Sequence, residues 1–156
     1  MLFGIDPILT GEFLRALDEM GHGDAVVIAD AHFTASKLAK KDLLDLPGLT
    51  SPRVLAAIRS VLVPDEFEPF QLGLMASPEP GLLAVQTELI AAAQLGDATV
   101  GTDPGTPGGC HVRLLGRQEF YDRAATAELI VRTGETRVYG NALFFKGVTP
   151  VNPVLP

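Results

Sequence analysis

The chain has 156 residues, 47% hydrophobic and 20% charged, a balance that suits one compact folded domain and lies well away from disorder. With 19 acidic against 12 basic residues its net charge is −7, which argues against an electrostatic grip on nucleic acid or an anionic membrane and leaves a small neutral ligand as the expected partner. The single cysteine, Cys110, excludes an intrachain disulfide and a multi-cysteine zinc site, and the opening residues lack the basic start and long apolar run of a secretion signal, so a cytoplasmic location is expected.

Thr10 is placed to cap a helix in which Phe13, Leu14, Leu17 and Met20 recur at helical spacing, with Glu12, Arg15, Asp18 and Glu19 on the other face. Gly21 follows the last apolar residue directly and predicts a left-handed cap, which sets His22 beside the negative end of the helix dipole. The all-apolar run 25–29 reads as a strand covered on both faces, and Asp30 opens the crossover at its carboxyl end, the edge where open α/β sheets bind ligands. The mixed polarity of 33–45 predicts a partly helical surface crossover before the Pro47-Gly48 turn.

Ser51 caps a second predicted helix, with Pro52 at its first position, Val54, Leu55, Ile58, Val61 and Leu62 on its apolar face and Pro64 at its end. Residues 70–76 resemble a strand, and 82–95 a third helix closed by Gly96. The stretch 102–109, dense in Gly, Pro and Thr, predicts a loop. Strand character returns over 111–115, a short helix over 117–127, a strand over 128–132, a turn over 133–136 and a last strand over 142–145. Strands alternating with helices predict an α/β single layered domain over 1–150 with a central sheet flanked by helices, followed by a proline-rich tail over 151–156. A hairpin-like return between Arg132 and Ala142 would make that sheet mixed. No run reaches the roughly 18 apolar residues of a membrane span.

Two of the three histidines and two carboxylates flank the 25–29 strand, in Met20-Gly21-His22-Gly23-Asp24 and Asp30-Ala31-His32-Phe33. A metal site of His22, Asp30 and His32 has the right residue types but the wrong spacing, with a whole strand between the first candidate and the others. No GxSxG elbow, dinucleotide fingerprint or GxxxxGK[ST] loop is present, and Cys110 has no assignable base. The remaining chemistry is proton transfer, with histidine, the side chain whose unperturbed pKa lies near neutrality, carboxylates to orient it, and Arg and Tyr side chains to hold hydroxyl groups. Such a set needs no cofactor. Taken singly, His22 reads as a turn histidine bonding helix-end carbonyls, Asp30 as a cap, Tyr121 as core and Arg117 as solvated, whereas Tyr139-Gly140-Asn141 suits the donors and acceptors of a sugar.

Together, Met20-Gly21-His22-Gly23-Asp24, Asp30-Ala31-His32-Phe33, Phe120-Tyr121-Asp122-Arg123-Ala124, Gly134-Glu135, Tyr139-Gly140-Asn141 and Lys146-Gly147-Val148-Thr149-Pro150 resemble the RbsD/FucU family in order and spacing over nearly the whole chain. Gly23 and His32 favour its fucose-mutarotase branch over its ribose-pyranase branch. The resemblance implies interconversion of the α and β anomers of a free monosaccharide, L-fucose first, without a cofactor. It further implies His22 as proton donor, Asp30, Arg117, Tyr139, Gly140 and Asn141 as sugar-binding residues, Tyr121 as a further site residue, and a ring-shaped homodecamer. Pyranose–furanose exchange of D-ribose and non-catalytic sugar binding in transport are the alternatives. Thr34 and the long 102–109 loop depart from the family pattern.

One geometric consequence is independent of the family. If His22 and Asp30 stand at opposite ends of one extended strand, they lie roughly 20 to 25 Å apart and cannot touch the same pyranose within one chain. Either the chain bends or adjacent subunits share each site.

Overall fold

The protein's structure, a computed structural model, describes residues 2–101 and 111–150. The 102–109 loop, Cys110 and the 151–156 tail lie outside the described residues. Seven strands, β1 (Ala25–Ala29), β2 (Asp42–Leu46), β3 (Leu72–Met75), β4 (Val100–Gly101), β5 (Val112–Leu115), β6 (Leu129–Thr133) and β7 (Ala142–Phe145), form one sheet in the order β2-β6-β1-β7-β3-β5-β4. Among the described residues five helices cover it: α1 (Gly11–Glu19), α2 (Ala35–Leu38), α3 (Ser51–Arg59), α4 (Ala84–Ala93) and α5 (Arg117–Ala124).

Alternation along the strands decides what each face buries. Val26 and Ile28 of β1 pack with Phe13 and Leu17 of α1, Val54, Leu55 and Ile58 of α3, and Leu89 of α4. Val27 and Ala29 face the other way, toward Phe33, Ala35 of α2 and Phe120 and Ala124 of α5. The result is three layers with the sheet in the middle, and β1, fully buried from Val26 to Ala29, third in the strand order beside the central β7.

The sheet is mixed, as expected, but by a different route. β6 and β7 do not pair; β1 lies between them, parallel to β6 through Val26↔Leu129 and antiparallel to β7 through Val26↔Phe144. β7 also pairs antiparallel with β3, and β3 runs parallel to β5. β7 thus joins two parallel halves. Its direction brings its amino end to the edge where β1, β3, β5 and β6 have their carboxyl ends.

Other local expectations are corrected. Thr10 caps α1 by accepting from Phe13 N–H, but Gly21 is not left-handed; the turn's positive φ falls on Gly23, at +80°. Thr50, not Ser51, is the cap residue of α3, and the buried Ser51 hydroxyl instead meets Thr133 Oγ1 at 3.0 Å. Gln94 adopts the left-handed cap of α4 at φ +50°, ahead of Gly96. The surface crossover holds only the short α2, and its second half is the edge strand β2, paired with β6 from Asp42↔Leu129 to Leu46↔Thr133.

Candidate active site

The carboxyl edge of the sheet carries a cavity of about 390 Å³, within the range of small-molecule sites. Its lining is Asp30, His32, Phe33, Met75, Arg117, Tyr121, Val138, Tyr139 and Asn141. Topology explains the gathering: Asp30 follows β1, Met75 ends β3, Arg117 opens the helix after β5, and 138–141 lead into β7. The Met75 carbonyl accepts from Nε2 of buried Gln86, which ties the cavity wall to the start of α4.

Asp30 is 3% exposed and hydrogen-bonded through its backbone N–H and both carboxylate oxygens. Its backbone N–H donates to Asn141 Oδ1 at 2.8 Å, Asn141 Nδ2 donates to its Oδ2 at 2.6 Å, and the His32 N–H donates to its Oδ1 at 3.0 Å. Burial raises its pKa, and the hydrogen bonds from His32 and Asn141 pull against that shift. Each carboxylate oxygen keeps a lone pair for a ligand hydroxyl. The Arg117 guanidinium lies 5.6 Å above the Tyr121 ring, which itself packs 5.1 Å from Phe33.

The strap before β7 is held in an unfavourable conformation. Tyr139 has φ +63°, a left-handed value uncommon for a side chain with a Cβ. Gly140 beside it admits nothing larger, because a Cβ there would stand 2.8 Å from Glu135 Cγ and 3.1 Å from the Arg137 carbonyl oxygen. Ala31 N–H donates to the Glu135 carbonyl, and the buried Glu135 carboxylate accepts from Arg137 Nε at 2.9 Å. Arg137 reaches on to Glu88 of α4 with a fork of 2.7 and 2.9 Å. The guanidinium holds the Glu135 carboxyl below its ordinary range.

Of the seven candidates, five (Asp30, Arg117, Tyr121, Tyr139 and Asn141) line this cavity, and Gly140 shapes it from behind. His22 does not join them. It sits ahead of β1 at the opposite edge, where the Gly23 N–H donates to the Lys146 carbonyl and the Lys146 N–H to the Asp24 carbonyl. The helix-end carbonyls expected to hold His22 are taken by Lys146, whose Nζ donates to those of Leu17, Asp18 and Met20 at 2.8, 3.1 and 2.6 Å. His22 Nδ1 instead lies 3.8 Å from Asp65 Oδ2. His22, Asp30 and His32 are therefore not brought together, and among the described residues no group of three or more His, Cys, Asp or Glu side chains is placed to hold a metal ion. Phe33, Met75 and Val138 line the cavity without having been singled out, because as apolar side chains they read as core.

The RbsD / FucU transport protein family is matched over residues 3–149. The chain belongs to the RbsD/FucU family. This RbsD/FucU protein is 37% identical over 153 residues to the L-fucose mutarotase of Haemophilus influenzae, a match covering 97% of this chain and 99% of the relative. It also resembles the crystal structure of the fucose mutarotase of Streptococcus pneumoniae in complex with L-fucose, with a TM-score of 0.77, 29% identity and coverage of 96% and 100%. The RbsD of Bacillus subtilis complexed with D-ribose shares the fold at a TM-score of 0.70 and 20% identity, covering 96% of this chain and 98% of that one. The resemblance of this RbsD/FucU protein to the fucose mutarotases thus extends over nearly its full length. No described helix is long and apolar enough to cross a membrane.

Proposed function

We propose that this protein is a mutarotase that interconverts the α and β anomers of a free monosaccharide, L-fucose first, by general acid/base catalysis without a cofactor. The observation that carries the reading is the cavity at the carboxyl edge, where a buried carboxylate–amide pair, a guanidinium and two tyrosines converge in a volume suited to one sugar. Near full-length similarity to an L-fucose mutarotase supports the choice of sugar.

Ring opening removes a proton from the anomeric hydroxyl, breaks the bond from C1 to the ring oxygen and delivers a proton to that oxygen. The anomeric O–H pair becomes the π bond of the aldehyde, the C1–ring-oxygen pair returns to the ring oxygen, and that oxygen takes up a proton; closure on the other face reverses each step. Asp30 and Asn141 orient the sugar's hydroxyls, Arg117, Tyr121 and Tyr139 hold the remainder, and Gly140 allows the strap to approach. Histidine carries the proton. Since β1 separates His22 from Asp30 by roughly 20 Å or more, the complete site combines the cavity of one chain with His22 of a second copy, in the ring-shaped homodecamer implied by the family resemblance. A cytoplasmic location belongs to the same reading.

Magnetisation-exchange NMR between the anomeric protons of L-fucose, with D-ribose as comparison, tests the reaction. Accelerated exchange with fucose, abolished in His22→Ala, is the expected result. Saturable fucose binding with no acceleration in the intact oligomer would overturn the enzymatic reading.

A further inference from the structure

We infer that Asp65 is the positioning residue of His22, fixing which ring nitrogen works on the sugar; the inference rests on the reading that His22 carries the proton. Asp65 is completely buried, and its carboxylate is pinned from one side. Oδ1 accepts the backbone N–H groups of Phe67 at 2.7 Å and Glu68 at 2.8 Å, while the Asp65 N–H donates to the Phe145 carbonyl at the end of β7. The carboxylate plane is therefore set by the backbone. Its second oxygen, Oδ2, has no hydrogen-bond partner among the described residues. Buried carboxylate oxygens are rarely left in that state, and one that is left so calls for an explanation.

The nearest candidate donor is Nδ1 of His22, 3.8 Å away, about 1 Å beyond a charge-assisted bond. Such bonds are often long before substrate arrives and shorten in the working complex. The geometry favours that closure. The His22 side chain is 65% exposed, with room to rotate, whereas its backbone is clamped on both sides by Gly21 N–H to Asp24 Oδ2 at 2.7 Å and Gly23 N–H to the Lys146 carbonyl at 2.8 Å. Phe67, positioned by the same Asp65 through Oδ1, sets its ring edge-on to the imidazole at 6.1 Å. Lys146, the cation crossing this edge, is committed to the end of α1.

With Nδ1–H donated to Asp65, the neutral ring presents Nε2 outward as its basic atom, away from its own chain. Nε2 can then take the proton of the anomeric hydroxyl or, once protonated, give one to the ring oxygen. Asp65 does not touch the sugar. Its contribution is to hold the tautomer and the ring plane.

Nitrogen-15 NMR of the imidazole in the intact oligomer provides a readout independent of activity. The neutral His22 ring is expected as the Nδ1–H tautomer in the wild-type protein. In Asp65→Asn the side-chain oxygen still accepts from Phe67 and Glu68, so the amide NH2 faces His22 and favours Nε2–H. Exchange at saturating L-fucose is expected to fall by about 100-fold, with the fucose concentration at half saturation changed by less than about two-fold, because the Asp30 cavity is untouched. A wild-type His22 in the Nε2–H form, or an Asp65→Asn oligomer with wild-type exchange, would overturn the role of Asp65. Unchanged exchange in His22→Ala would instead overturn the assignment of His22 itself. Should Asp65→Asn fail to assemble, the wild-type tautomer decides alone.

Discussion

Asp30 and Asn141 grip each other twice: the Asp30 backbone donates to the Asn141 amide oxygen, and the Asn141 amide nitrogen donates back to the Asp30 carboxylate. The pair joins the end of β1 to the start of β7 and aims both side chains into the cavity. Both are 3% exposed, so neither can exchange its partner for bulk water.

Asn141→Asp would set two buried carboxyl groups in contact where an amide now donates at 2.6 Å. One of them must then stay protonated. A carboxyl group with a folded-state pKa above its unfolded value binds more protons in the native state, so its stabilising effect is complete at low pH and is lost as pH rises through the folded pKa. Burial already gives Asp30 that direction in the wild-type protein, and the substitution amplifies it. Urea unfolding of the variant from pH 4 to pH 8 should show a deficit against wild type that grows with pH; a constant deficit would contradict the expectation.

Glu135 has the opposite sign. Its pKa is lowered, chiefly by the hydrogen bond from Arg137, so the pair's stabilisation is present above the carboxyl's ordinary value of 4.5 and disappears as pH falls through the depressed one. Arg137→Met should destabilise the protein by about 1–2 kcal/mol at pH 7, the value for a buried pair reduced because the Arg137 side chain is 41% exposed. At pH 3 the difference should be smaller than at pH 7. Thermal unfolding at the two pH values checks both statements.

Gly134 is the tightest packing point of the strap. A Cβ there would lie 1.9 Å from the Pro47 carbonyl oxygen, while the Gly134 N–H donates to the Leu49 carbonyl at 2.8 Å. Relief requires backbone movement, so Gly134→Ala should cost about 2 kcal/mol or more. Because the displaced segment carries Tyr139 and Asn141, weaker fucose binding should accompany the lower melting temperature, and calorimetric titration would register it.

Lys146 secures the opposite edge. Lys146→Met leaves three carbonyls at the end of α1 without their ammonium and should destabilise by about 1–3 kcal/mol. The loop carrying His22 loses an anchor with it. Anomeric exchange should therefore slow more than fucose affinity drops, and an equal loss of both would refute that separation.

Much of the architecture was legible from spacing alone. α1 and α3 carry one apolar stripe each with clear start signals, and β1 is an unbroken apolar run. β2 was hidden because Asp-Leu-Leu-Asp-Leu is an edge strand with charged positions, the composition that keeps an edge from aggregating. The partner of β7 was misread because strand order is a property of the whole sheet: β6 precedes β7 in the chain, yet β1 pairs with both. Gly21 and Gly23 are equivalent in sequence terms, and the choice between them came from the Asp24 carboxylate taking the Gly21 N–H. The polar half of the cavity was carried by family resemblance. Asp65 carried no signal, since a lone aspartate after a proline reads as a turn until its burial is known.

β7 closes a sheet that cannot exist without it. The half made of β2, β6 and β1 and the half made of β3, β5 and β4 share no strand pairing except through β7, the last of the described strands in chain order. The connecting contacts are long in sequence, which slows their formation, and a nascent chain ending before Ala142 exposes two unfinished edges, on β1 and on β3. The same segment delivers Asn141 to Asp30 and Lys146 to the end of α1. Closure of the sheet, assembly of the cavity and anchoring of the histidine loop thus become one event in folding, so a chain ending before Asn141 loses all three together.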